Sequence, residues 1–216
     1  MNKFFFTGFI AAFMMPAAFS QSDIRFENRK TTGYFNTTQV SMLMGNRKIS
    51  ERANYNYLGL YKLQVAPSVT MTNGVMLNEN WAAGVGLGIE IFDQNLFPVF
   101  ADIRYTVRDH NISPFFAIKM GHAYSDLKKK HHDDLYVDFA PYYANNAWLR
   151  HYGGFMMSTE MGVKFPLSEN ADLLFTAAYR HQKTRSVISQ DFGQRNRWKH
   201  QTSMNRLSLG VAIMFR

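Results

Sequence analysis

The chain contains no cysteine, so no disulfide can brace it, and its stability has to come from packing and hydrogen bonding. Beyond its first twenty residues it offers no run of eighteen predominantly apolar residues, which excludes a membrane-spanning helix there. No recognisable nucleic-acid-binding motif is present. Low-complexity tracts, linkers and repeated sequence motifs are missing too, so this is no solenoid. The 216 residues fall within the range of a single domain.

What the chain does have begins at its start. Lys3 supplies a short basic end, Phe4 to Met15 is an apolar run of twelve residues, and Ala18-Phe19-Ser20 places small residues where a signal peptidase cuts. That is the layout of a secretory leader, and the run is too short to span a bilayer as a helix. Residues 1–20 are therefore expected to be a cleaved signal peptide, and 21–216 a single mature domain beginning at Gln21. Losing Lys3 leaves 23 basic against 16 acidic residues, a net charge of +7. An exported basic chain can meet anionic headgroups, phosphorylated glycolipid or acidic polymers. Nucleic acid is not an expected partner.

After the leader the dominant pattern is period-two alternation in blocks of about ten residues. Trp81, Ala83, Val85, Leu87, Ile89 and Ile91 alternate with Ala82, Gly84, Gly86, Gly88, Glu90 and Phe92. A helix carrying three such glycines would lose about 1 kcal/mol at each relative to alanine, so a strand is predicted. Similar blocks span Val99–Val107, Phe116–Gly121, Phe155–Phe165, Leu173–Arg180 and Leu207–Phe215, with weaker ones over Tyr34–Met44 and Val65–Leu77. That makes eight.

The connections have a rhythm of their own. Asn78–Asn80, Arg108–Ile112 and Pro166–Asn170 are short and rich in turn-forming residues. Gly45–Lys62, Ser125–Tyr152 and His181–Asn205 are long and polar, whereas Asp93–Leu96 is short where a long one is due. Alternating short and long links suit a barrel with tight turns at one end and loops at the other.

Alternation alone does not say which face is buried. A soluble barrel or sandwich would turn the aliphatic row inward and offer Lys, Glu, Thr and Gln to water. Here the second row is rich in Gly, Ala and Ser, with isolated charges at Glu90, Asp102, Arg104, Lys119, Glu160, Lys164 and Arg180. Small residues and a few opposed charges suit the narrow interior of an eight-stranded barrel, where three acids and four bases would pair to avoid an uncompensated buried charge. The aliphatic row then faces lipid. Trp81, Tyr105, Phe165 and Phe215 fall at its turn side, and Phe92, Phe97, Tyr124 and Tyr179 at its loop side, as interfacial aromatics do. The expected fold is an all-β, antiparallel, up-and-down transmembrane β-barrel of about eight strands, with long extracellular loops and short periplasmic turns. A soluble periplasmic or secreted β-barrel is the rival.

Particular stretches carry a family resemblance. GYFNTTQ (33–39), APSVTMTNGVMLNENWAAGVGLGIEIF (66–92), PVFADIRY (98–105), SPFFAIKMGHAY (113–124), GGFMMSTEMGVKFPLSENADLLFTAAYRHQ (153–182) and RLSLGVAIMF (206–215) resemble the outer-membrane β-barrel proteins of the Bacteroidota type. The resemblance covers most of the barrel and little of the long links. It implies an outer-membrane location and handling by the barrel-assembly machinery, and it brings no catalytic motif. Such barrels often end on an aromatic residue read by that machinery, whereas here Arg216 follows Phe215.

Three groups of residues invite a chemical reading. His122, Ser125 and Glu160 suggest a lipid hydrolase, but they share no fixed motif, and His122 falls on the parity of lipid-facing Met120. The run Lys128-Lys129-Lys130-His131-His132-Asp133-Asp134 offers glycolipid phosphate contact or a weak metal site, although adjacent histidines in an extended chain point apart. Arg195, Arg197, Trp198, Lys199 and His200 form a second basic stretch suited to glycolipid phosphate. Charge runs are usually solvated, however. No cofactor, metal or catalytic set is expected. The reading is an envelope protein with a structural or interaction role, with outer-membrane lipid and glycolipid as partners and an unidentified extracellular ligand left open. The alternatives are a porin-like narrow pore for small solutes and, behind it, a lipid-modifying enzyme.

Overall fold

A computed structural model describes residues 30–49, 63–91, 95–107, 112–125, 147–192 and 194–216. The proposed leader lies outside the described residues, as does the Lys128–Asp134 run. The strands are β1 (Gly33–Ile49), β2 (Leu63–Met76), β3 (Trp81–Glu90), β4 (Leu96–Thr106), β5 (Ser113–Ser125), β6 (Ala147–Tyr152), β7 (Gly154–Ser168), β8 (Ala171–Phe192) and β9 (Gln194–Phe215). Every pairing is antiparallel, and β1 pairs with both β2 and β9, which closes the sheet.

β6 and β7 both pair with β8, and Gly153 separates them. Tyr152 stands opposite Arg185 and Met156 opposite Gln182, so four steps on one strand face three on the other. That is a one-residue bulge, and β6 and β7 make one wall of an eight-stranded barrel.

Register fixes the strand tilt. Stepping sideways from Tyr34 leads through Val75, Ala83, Ile103, Ile118, Thr159, Tyr179 and Leu207 to Met44, ten residues further along β1. At about 3.3 Å per residue, across eight strands about 4.8 Å apart, this stagger tilts the strands by about 40°. Each residue then rises about 2.5 Å along the axis, so Tyr34 to Met44 spans about 25 Å, the height of a lipid-facing band.

The outside is apolar. Val40, Met71, Val85, Leu87, Val99, Ile118, Met120, Leu209 and Val211 are exposed around the waist. Below them, Trp81 and Tyr105 pack against each other across β3 and β4, tilted by 54° with ring centroids 4.9 Å apart. Above, His122 and Tyr124 lie side by side with ring centroids 4.8 Å apart.

The turn between β2 and β3 follows its sequence. Asn78 Oδ1 accepts hydrogen bonds from the backbone N–H of Asn80 (2.9 Å) and of Trp81 (2.7 Å), an Asx-type closure. The segment 181–205 is a correction to the expected loop. It is paired strand on both sides of residue 193, from Phe192–Gln194 down to His181–Asn205. Part of the expected 125–152 loop is likewise β6.

Candidate functional site

Turning the small-residue row inward puts chemistry into the lumen in tiers. Nearest the turns lies an apolar cluster of Phe35, Met76, Ala82, Phe115, Leu174, Ala212 and Met214. Beneath it, Arg216 closes the end. Its Nε and Nη2 donate to Asp172 Oδ2 at 2.8 and 2.7 Å, and its Nη1 donates to the Lys30 carbonyl at 3.1 Å. The residue that departs from an aromatic chain end is thus seated on a fully buried carboxylate.

Above the apolar cluster, Arg104 Nη2 stands 3.1 Å from Asp102 Oδ2 on the same strand, with its guanidinium 5.1 Å from the centre of the Phe115 ring. The next tier is a closed set: Lys119 Nζ donates to Glu160 Oε2 (2.7 Å) and to Gln39 Oε1 (2.8 Å). Gln39 Nε2 donates to Glu160 Oε2 (3.1 Å) and to Thr176 Oγ1 (2.8 Å). Nearest the loops, Glu90 takes Arg180 on one oxygen and Arg206 Nη1 on the other, the latter at 3.4 Å. Arg206 Nη2 also donates to Gln182 Oε1, and Arg180 Nη2 approaches Met156 Sδ at 2.9 Å.

Space in the lumen depends on its glycines. A Cβ at Gly86 would overlap the ring of Phe100 from the neighbouring strand.

All seven charged positions of the second row, Glu90, Asp102, Arg104, Lys119, Glu160, Lys164 and Arg180, are buried. Glu160 meets Lys119, Asp102 meets Arg104, and Glu90 meets Arg180. Arg206, Asp172, Gln39 and Gln182 belong to the same buried set. Their signal was parity: Arg206 and Asp172 stand one residue before the apolar blocks that open at Leu207 and Leu173.

His122, Ser125 and Glu160 do not converge. His122 is exposed on the outer wall, whereas Ser125 and Glu160 are buried on the inner side. The wall of the barrel separates the base from both other members, so these three form no hydrolytic site. Among the described residues no group of three or more His, Cys, Asp or Glu side chains is placed to hold a metal ion. Lys128, Lys129 and Lys130 lie outside the described residues. Arg195, Arg197 and Lys199 lie on β9, not in a loop.

A closed barrel with an apolar outer belt and a charged, filled lumen is a transmembrane β-barrel of the outer-membrane type. The solved outer membrane protein OprG of Pseudomonas aeruginosa has the same fold: 11% identical, it matches over 88% of this chain and 99% of its own, with a TM-score of 0.53. Neisserial surface protein A aligns over 85% of this chain and 98% of its own, at 13% identity and a TM-score of 0.47. No family model matches the chain, and no curated protein matches it in sequence.

Proposed function

We propose that the protein is an integral outer-membrane barrel whose lumen is sealed by its own side chains, with a structural or interaction role in the cell envelope. Its work is done by the loop-side surface, without catalysis or bulk passage through the barrel. The filled lumen carries this reading: buried side chains occupy successive tiers from Glu90 and Arg206 down to Phe115 and Met214. An eight-stranded barrel is just wide enough for side chains to fill it. The leader at 1–20 would send the chain across the inner membrane, and the Bacteroidota-type stretches give its expected source. Assembly by the outer-membrane insertion machinery belongs to the same reading, as do outer-membrane lipid and glycolipid as partners.

Purified protein reconstituted into planar bilayers should show no stable conductance, and large regular channels would overturn the reading. One observation favours a narrow water-lined path as an alternative. Arg104 Nε and Nη1 and Arg180 Nε have no protein hydrogen-bond partner among the described residues, and buried polar atoms of this kind commonly bind water. Replacing Arg180 separates the two. A sealed barrel loses stability, whereas a pore stays folded and changes ion selectivity.

A further inference from the structure

Two asparagines stand on the wall that lipid touches. On β1, Phe35 and Thr37 are buried in the lumen, and on β2 so are Thr72 and Met76, so alternation turns Asn36 and Asn73 outward. The two are paired directly with each other, and both are half-buried. Beyond them along the same row lie Phe215 on β9 and Val85 on β3, exposed and apolar. Asn36 stands two residues above Tyr34, a rise of about 5 Å, and one sideways step climbs about 3 Å, which puts Asn73 about 8 Å up. Both therefore fall inside the lipid-facing band. Asn205, the other outward asparagine among the described side chains of the strands, stands at the loop-side end and meets His181 at 2.6 Å.

The hydrogen bonds of the two amides are incomplete. Asn73 Oδ1 accepts from Tyr34 Oη at 2.5 Å and from Asn36 Nδ2 at 2.6 Å. Asn36 Oδ1 and Asn73 Nδ2 have no protein partner among the described residues. A polar group left open in hydrocarbon is costly, because no water is there to satisfy it. Acyl chains satisfy neither atom. The ester oxygens of a phospholipid only accept, so lipid serves Asn73 at best and leaves Asn36 Oδ1 open. One acceptor beside one donor is instead a self-complementary set.

We propose that this patch of β1 and β2, centred on Asn36 and Asn73, is the interface through which two copies of the chain associate side by side in the membrane. The proposal rests on the outer-membrane reading above. Two barrels inserted in the same direction are related by a two-fold axis along the bilayer normal. That axis keeps height and exchanges left and right on the facing walls, so Asn36 of each copy comes opposite Asn73 of the other. Their heights differ by about 3 Å, which the two side chains can bridge. Asn36 Oδ1 then accepts from Asn73 Nδ2 of the second copy, and the symmetric bond forms beside it. Both open groups are satisfied at once, and interhelical contacts in membranes use amides in the same way.

The test uses the full chain refolded into detergent and into phosphatidylcholine vesicles. Heat-dependent gel mobility and vesicle insertion come first, and failure there overturns the outer-membrane reading itself. Sedimentation equilibrium in density-matched micelles then measures association of the folded barrel, and energy transfer between labelled chains follows it in vesicles. The proposal expects a monomer–dimer equilibrium that N36L and N73L each weaken about tenfold, since either change removes both symmetric bonds. N36L/N73L loses the same two bonds and should be no weaker than the single variants. T159L removes an exposed outward hydroxyl on β7, across the barrel, and should leave association unchanged. If the double variant does not fold, N36L and N73L still decide the matter. A folded protein that stays monomeric in both media overturns the proposal. So do additive losses in N36L/N73L, which would give each amide a separate partner, and a loss in T159L equal to theirs, which would make the effect one of general apolarity.

Discussion

Lys119 Nζ lies 2.7 Å from Glu160 Oε2 in mid-lumen, reaching diagonally between β5 and β7, with both side chains less than a tenth exposed. Gln39 bridges the pair from β1, on the opposite side of the barrel. Removing one partner of a buried ion pair leaves the other uncompensated, at a cost of about 3–5 kcal/mol. K119M and E160L should each destabilise the folded barrel by that amount, whereas K119M/E160L should recover most of the loss. Urea unfolding in detergent, followed by tryptophan fluorescence, measures all three, and additive losses would show that the two side chains are not coupled.

Depth along the outer wall sets a second expectation. Val85 is 67% exposed on the apolar waist, and an arginine there should cost about 2–4 kcal/mol in a bilayer. Leu77, exposed at the turn-side edge, should tolerate arginine at about 0–1 kcal/mol. Folding titrations into short-chain lipid vesicles measure both substitutions. Equal costs would mean that the outer wall meets no hydrocarbon.

Gly86 and Phe100 should behave as one unit. Gly86→Val drives its side chain into the Phe100 ring, and overpacking of this kind costs about 1–3 kcal/mol. Phe100→Ala in the same chain should restore folding, as judged by heat-dependent mobility. A double variant no better than Gly86→Val alone would assign the clash to Thr72, whose Oγ1 is the next atom a Cβ at Gly86 would meet.

The Arg216–Asp172 pair carries a prediction of its own. Arg216→Ala strips a fully buried carboxylate of its guanidinium, and stability should fall by about 2 kcal/mol or more. D172N/R216A should recover part of that loss in the same urea experiment. An R216A variant as stable as the parent would make the pair incidental.

The barrel was legible because each wall strand has two environments. Lipid demands Val85, Leu87 and Ile89 on one side, a narrow lumen accepts Gly86 and Gly88 on the other, and the period follows. Parity alone then puts Glu90 and Glu160 inside. Arg206 and Asp172 are less legible, because the apolar blocks open one residue after each. Gln39 and Gln182 carry no charge to mark them. The extension of β8 and β9 reads as a loop in the sequence for a different reason. Above the hydrocarbon neither face has to be apolar, so the alternation fades while the hydrogen-bonded ladder continues. Its trace remained in Arg195, Arg197 and Lys199, spaced by two with Trp198 on the opposite parity.

Closure of β1 onto β9, with Asn36 opposite Phe215, joins nearly the two ends of the described chain. Until the last strand arrives, the first has an open edge, and an open edge cannot be left in hydrocarbon. Insertion and closure are therefore one event. A chain that lacks β9 has no stable resting place in a bilayer, and the strand made last among these nine decides whether the other eight can stay there.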